Sequence, residues 1–185
     1  MGGKRNDRSF EIALSGVSCA VAAGALALGI LSGYLVATGY IIAVIAIMVP
    51  LSKQYIRGAT LAYIGTCILA VALGAAVQFW DLVPFAMFFG LHPIVNVLQL
   101  KYRVNRWLAL AVKAVWFDCT LIAAYFLIYV LGGLSFPPEI EAYLTGWRLY
   151  VVIFTVGSAF LFVYDYLLFK GQIAMNALVR RIIKK

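Results

Sequence analysis

Residues 12–52 read IALSGVSCAVAAGALALGILSGYLVATGYIIAVIAIMVPLS, without a single charged side chain. As one helix, residues 12–51 would measure about 60 Å at about 1.5 Å per residue. That is twice the roughly 30 Å hydrocarbon core of a bilayer. The stretch therefore folds back on itself, and Ser32-Gly33 or Thr38-Gly39 supplies the turn. A charged start followed by apolar residues resembles a signal peptide, but the run far exceeds an apolar region of about 7–15 residues. It reads as retained membrane structure.

Working outward, residues 58–79, 82–100, 107–134 and 147–169 are apolar as well. With the hairpin halves 12–31 and 34–51 they predict six spans. Short basic patches test the count independently: Lys4, Arg5 and Arg8; Lys53 and Arg57; Lys101, Arg103 and Arg106; then Lys170, Arg180, Arg181, Lys184 and Lys185. Six crossings place all four patches on the cytoplasmic side, as the positive-inside rule asks, with Asp81, Glu139 and Glu141 opposite and Arg148 as the exception. Five would strand the first patch across the membrane from the rest.

The expected fold is all-α: an integral bundle of six transmembrane helices in one domain, residues 1–185, with both termini cytoplasmic. Residues 135–146, with Pro137-Pro138, read as the largest external loop. In residues 172–185, Met175, Leu178, Val179, Ile182 and Ile183 share one helical face while Arg180, Arg181 and Lys184 lie off it. This predicts an amphipathic C-terminal helix on the inner leaflet or against a partner.

Composition agrees. The chain is 65% hydrophobic and 12% charged, with a mean hydropathy of +0.99, far from the soluble average. Its formal charge of +8 is accounted for by the membrane-side bias, so anionic lipids are the expected partner and nucleic acid is not. Cys19, Cys67 and Cys119 lie apart in apolar segments and read as small buried residues, not a disulfide or metal set. The localisation expected is a cell membrane, multi-pass, of the bacterial cytoplasmic type.

Ionisable residues within spans are costly, so they mark candidate sites. Lys113 lies six residues in from Trp107 and Asp165 five in from Lys170. Both are then roughly 8–9 Å below the inner interface, where they can pair; alternatively Lys113 snorkels to the headgroups. His92 and Asp118 sit near the middle of their spans, with Asn96 one turn from His92. They fit either a polar, proton-responsive site or hydrogen bonds that fix packing. Pro93 frees a carbonyl one turn earlier and can kink that helix. The first span carries two ridges of small residues, Gly16, Ala20 and Gly24, and Ala25, Gly29 and Gly33. Such ridges serve internal packing or docking of another subunit. On the external side Gln78, Trp80, Asp81, Tyr143, Trp147 and Arg148 describe either a small-molecule pocket or an aromatic belt.

No HExxH, GxSxG or Walker pattern occurs, nor the paired acidic motif of phospholipid synthesis. A single histidine excludes two-His metal sites. The chain reads as neither an enzyme nor a cofactor binder.

Six short spans, cytoplasmic ends and a small-residue first helix resemble the substrate-binding S component of energy-coupling factor (ECF) transporters. That family's Ala-x-x-x-Ala docking motif is matched at Ala23–Ala27, and more loosely at Ala20–Gly24. The resemblance implies vitamin or small-molecule uptake, with docking on a transmembrane coupling subunit driven by ATPases. It also implies a ligand in the external half, making Trp80, Asp81, Tyr143, Trp147 and Arg148 the candidate ligand-binding residues. Two competing readings stand beside it: a non-catalytic scaffold similar to the rod-shape-determining MreD type, and a small proton-linked transporter using Asp118 and His92.

Overall fold

The computed structural model describes residues 3–131, Gly133 and residues 146–182. Among these the regular elements are all helical, with no strand. They are α1 (Gly3–Ser32), α2 (Val36–Ser52), α3 (Ile56–Ala72), α4 (Phe79–Pro84), α5 (His92–Lys101), α6 (Arg106–Tyr125) and α7 (Trp147–Ile182). A 3-10 turn, Ala75–Gln78, leads into α4, and π-helical segments follow α4 and α6 at Phe85–Phe89 and Phe126–Leu131.

Four stretches are long and apolar enough to cross a membrane: Asp7–Ser32, Ala75–Lys101, Arg106–Tyr125 and Trp147–Arg181. The chain is thus a multi-pass membrane protein whose helices contact lipid. The apolar helices α2 and α3 have 17 residues each, or about 25 Å, at the short end of spanning helices.

The chain divides into two compact units, Met1–Tyr102 with Leu168–Lys185, and Arg103–Leu167. In the first, residues 12–52 form the expected hairpin, turning at Ser32-Gly33. Gly33 adopts φ +68°, Ser32 Oγ donates to the Gly29 carbonyl at 2.8 Å, and it accepts from Leu35 N–H at 3.2 Å. Thr38-Gly39 is not the turn but part of α2, because Gly39 is needed where the two backbones touch. A Cβ at Gly29 would lie 3.0 Å from Gly39 Cα and 2.9 Å from the Leu35 carbonyl oxygen. On another face of α1, Ser15 and Cys19 meet Gly58 and Gly65 of α3, and Glu11 Oε1 accepts the Gly58 N–H at 3.2 Å. Leu26, Ile30, Ile47, Leu51, Phe85 and Phe88 are fully buried in this unit.

Three expected boundaries move. The third helix ends at Ala72, not at residue 79, because Gly74 takes φ +108°, a left-handed conformation open to glycine without steric cost. Residues 75–81 therefore belong to the next element: Gln78 ends the 3-10 turn, and Trp80 and Asp81 lie within α4. The expected span 107–134 divides into regular helix to Tyr125 and a π-helical end at Leu131. The separate tail helix is absent: α7 runs unbroken from Trp147 to Ile182. Its 36 residues measure about 54 Å, so it outruns a bilayer core. The Lys170-Gly171 step does not break it, since a lone glycine is tolerated within a helix. In its last part Leu168, Gln172 and Val179 are buried in the first unit and Leu178 is exposed. The loop with Pro137, Pro138, Glu139 and Glu141 lies outside the described residues.

Candidate functional sites in the two units

The first candidate is the interruption of the helix between Ala75 and Lys101. In an unbroken α-helix the Phe85 N–H would meet the Asp81 carbonyl, and the Gly90 N–H that of Ala86. Here Phe85 N–H reaches Leu82 instead, and Gly90 N–H reaches the Phe85 carbonyl at 2.9 Å, an i→i+5 bond. Both bypassed carbonyls are recovered by side chains. The Tyr40 hydroxyl of α2 donates to the Asp81 carbonyl, and the Tyr63 hydroxyl of α3 donates to that of Ala86. In hydrocarbon no water is present to do this, so irregular backbone persists only where protein groups satisfy it.

The two tyrosines also supply the aromatic wall of the break. Tyr40 packs at 5.6 and 5.3 Å from the rings of Phe85 and Phe89, and Tyr63 at 6.5 Å from Phe85. His92 is 0% exposed and meets Phe88 edge-on at 4.8 Å. Asn96 and Gln99 are buried on α5 beyond it. Two prolines bracket the irregularity: Pro84 closes α4 before the π-helical Phe85–Phe89, and Pro93, in the first turn of α5, has no N–H for the Phe89 carbonyl one turn earlier.

The second candidate joins α6 and α7 inside the second unit. Lys113 Nζ lies 2.8 Å from Asp165 Oδ1, and the two residues are 2% and 4% exposed. Lys113 is thus paired in the interior and does not snorkel. The antiparallel register continues along both helices. Phe117 stacks on Phe160 at 5.9 Å, and Phe160 on Tyr164 at 5.9 Å. A Cβ at Gly157 would lie 2.9 Å from Leu121 Cδ1 and 3.4 Å from Asp118 Oδ1. Asp118 is 6% exposed, and its Oδ1 has no hydrogen-bond partner among the described residues. A buried polar group normally has a partner, which makes this oxygen an open group among the described residues of the unit: it can take a proton, a cation or a donor from a ligand.

The other expected residues are distributed as follows. Trp80 and Asp81 belong to the first unit, half-buried. Trp147 and Arg148 open α7 in the second unit and are exposed. Tyr143 lies outside the described residues. His92 and Asn96 are in the first unit and Asp118 in the second. Of the docking candidates on α1, Ala23 and Ala27 are buried in the structure, whereas Ala20 is exposed and Gly24 half-buried. A Cβ at Gly16 or Gly24 would meet nothing within 4 Å. The Ala25–Gly29 ridge packs on α2, and the Gly16–Ala20–Gly24 ridge is open. No group of three or more His, Cys, Asp or Glu among the described residues could hold a metal ion.

Sequence reasoning missed Tyr40 and Tyr63. Their signal was present: Pro84 and Pro93 interrupt one apolar segment, and a hydroxyl-bearing aromatic stands within each neighbouring helix. In comparisons with known proteins, no family model, curated protein or solved structure matches this chain.

Proposed function

We propose that the chain is the substrate-binding membrane subunit of an uptake transporter, similar to an ECF S component and energised by separate partner subunits. In this reading the six apolar helical runs are six crossings with both termini cytoplasmic, in a bacterial cytoplasmic membrane, and the chain performs no catalysis itself. The observation that supports it is the open Gly16–Ala20–Gly24 ridge of α1. Small residues let helix backbones approach closely, and α1 already meets its own neighbours through other faces. A smooth ridge left over suits a second membrane subunit. Of the docking candidates, Ala20 and Gly24 are kept and joined by Gly16, and Ala23 and Ala27, which are buried, are set aside.

The ligand is a vitamin or comparable small molecule. Trp80 and Asp81 are the first-unit candidates for meeting it, and Tyr143, Trp147 and Arg148 the second-unit candidates; each set is tested by its own alanine variants. Co-expression of the tagged chain with an ECF coupling subunit and its ATPases should yield a complex that survives purification. Absence of association removes the reading.

A scaffold of the MreD type is the second reading, favoured by the closed Lys113–Asp165 bridge, which leaves that pair as packing. A thermal-shift screen of vitamins and metal ions separates the two. A bound ligand raises Tm by mass action, whereas the scaffold shows no response. The open oxygen of Asp118 favours a third, proton-linked transport; Asp118→Asn in liposomes would then abolish pH-dependent uptake.

A further inference from the structure

In the first unit a cavity of about 260 Å³ opens between the C-terminal ends of α2 and α5 and the last part of α7. Its polar wall is Gln54, Lys101, Gln172 and Asn176, and no carboxylate among the described residues lines it. Gln172 is buried, and its Nε2 donates to Asn176 Oδ1 at 3.0 Å. That bond engages the Asn176 oxygen and leaves its amino group as a donor. Lys101 forms no ion pair among the described residues; its Nζ stands 5.8 Å over the Tyr102 ring, a weak contact at an exposed site. Gln54 holds φ +63°, uncommon for a residue other than glycine. The remaining wall is Leu51, Val97 and Leu100.

The cavity therefore offers one cation, Lys101, and several neutral hydrogen-bonding groups above an apolar floor. Two helices end here, and their exposed carbonyls would by themselves repel an anion. The chain has covered several of them. Lys53 and Tyr55 N–H both donate to the Pro50 carbonyl at 3.1 Å, Gln54 N–H to Leu51 at 2.9 Å, and Tyr102 N–H to Leu98 at 2.9 Å. What faces an incoming group is then dominated by Lys101 and the carboxamides.

We infer that this cavity binds a phosphate oxyanion, presented by a phospholipid headgroup or as free phosphate. Its volume lies just below the roughly 300–1,000 Å³ of pockets for drug-sized ligands, which suits a phosphate with its immediate ester linkage. Leu51, Val97 and Leu100 would face the glycerol of a lipid and have nothing to meet on free phosphate. The inference is independent of the transport reading and stands if that reading fails.

The test uses delipidated full-length protein in detergent. Native mass spectrometry measures retention of phosphatidylglycerol against diacylglycerol with the same acyl chains. Phosphatidylglycerol is expected to be retained in preference. Lys101→Met and Asn176→Leu should each weaken that retention, Lys101→Met by about fivefold, the effect of one basic residue near a lipid surface. Arg57→Gln, outside the cavity, should retain lipid as the wild type does. In a parallel arm, millimolar inorganic phosphate is added in a thermal-shift measurement. A rise in Tm lost in Lys101→Met identifies free phosphate as a source of the oxyanion; no rise, with lipid retained, identifies the headgroup. Equal retention of diacylglycerol with no phosphate response overturns the proposal. So does retention untouched by both cavity variants, or an equal loss in Arg57→Gln, which would mean diffuse surface charge.

Discussion

The two units bury polar groups by different means. In the first, neutral contacts carry the packing: tyrosine hydroxyls take the carbonyls bypassed at the helix break, and glycine backbones meet across α1 and α2, while Ser15 Oγ and Gln78 Oε1 stay buried without a partner among the described residues. In the second, α6 and α7 are joined by a buried ion pair, and the Asp118 Oδ1 of α6 has no partner among the described residues. Neutral contacts are individually modest and share the load. A buried charge concentrates it, because removing one partner strands the other in a low-dielectric interior. The second unit should therefore be the more sensitive to a single substitution and the more easily rescued by a second.

The largest expected effect tests that directly. Lys113→Met should destabilise the protein by about 3–5 kcal/mol, and Lys113→Met with Asp165→Leu should regain most of the loss. Thermal unfolding in detergent reads both. A cost below about 1 kcal/mol, in the range of exposed pairs, would mean that water shields the pair. Next, Gly29→Leu should cost about 1–3 kcal/mol by overpacking, since its Cβ meets backbone atoms that cannot rotate away. Tyr40→Phe and Tyr63→Phe should each cost about 1 kcal/mol, with faster hydrogen exchange at Phe85–Gly90 as the local signature. Unchanged exchange there would mean that the hydroxyls do not hold the break. Smallest is Gly16→Leu, within about 0.5 kcal/mol of wild type, as expected of an open surface. A large loss would mean that this ridge packs internally like its neighbour.

Much of this was readable from residues alone where length or depth imposed a constraint. The hairpin in residues 12–52 follows from a run too long for one crossing. The meeting of Lys113 and Asp165 follows from equal depth on two spans. Gly74 was harder, because the apolar run continues across it and hydropathy carries no information about φ. Pro93 suggested an irregularity one turn earlier, and the π-helical Phe85–Phe89 lies there, but its start after Pro84 was not foreseen. The tail looked separate because the apolar run ends at Phe169 and an amphipathic pattern follows from Gln172, yet one helix carries both. Of two similar glycine ridges on α1, the sequence offers no means of telling which one α2 covers. The cavity beside Lys101 draws on three segments far apart in the chain, and no local pattern announces it.

The open ridge carries the functional account, so it is the place to test it. Copurification with an ECF coupling subunit and its ATPases should be measured for the wild type and for Gly16→Leu, alongside Tm. The account predicts a stable complex for the wild type, and its loss in Gly16→Leu at unchanged Tm. No complex with the wild-type chain, or a complex indifferent to leucine at position 16, would contradict it.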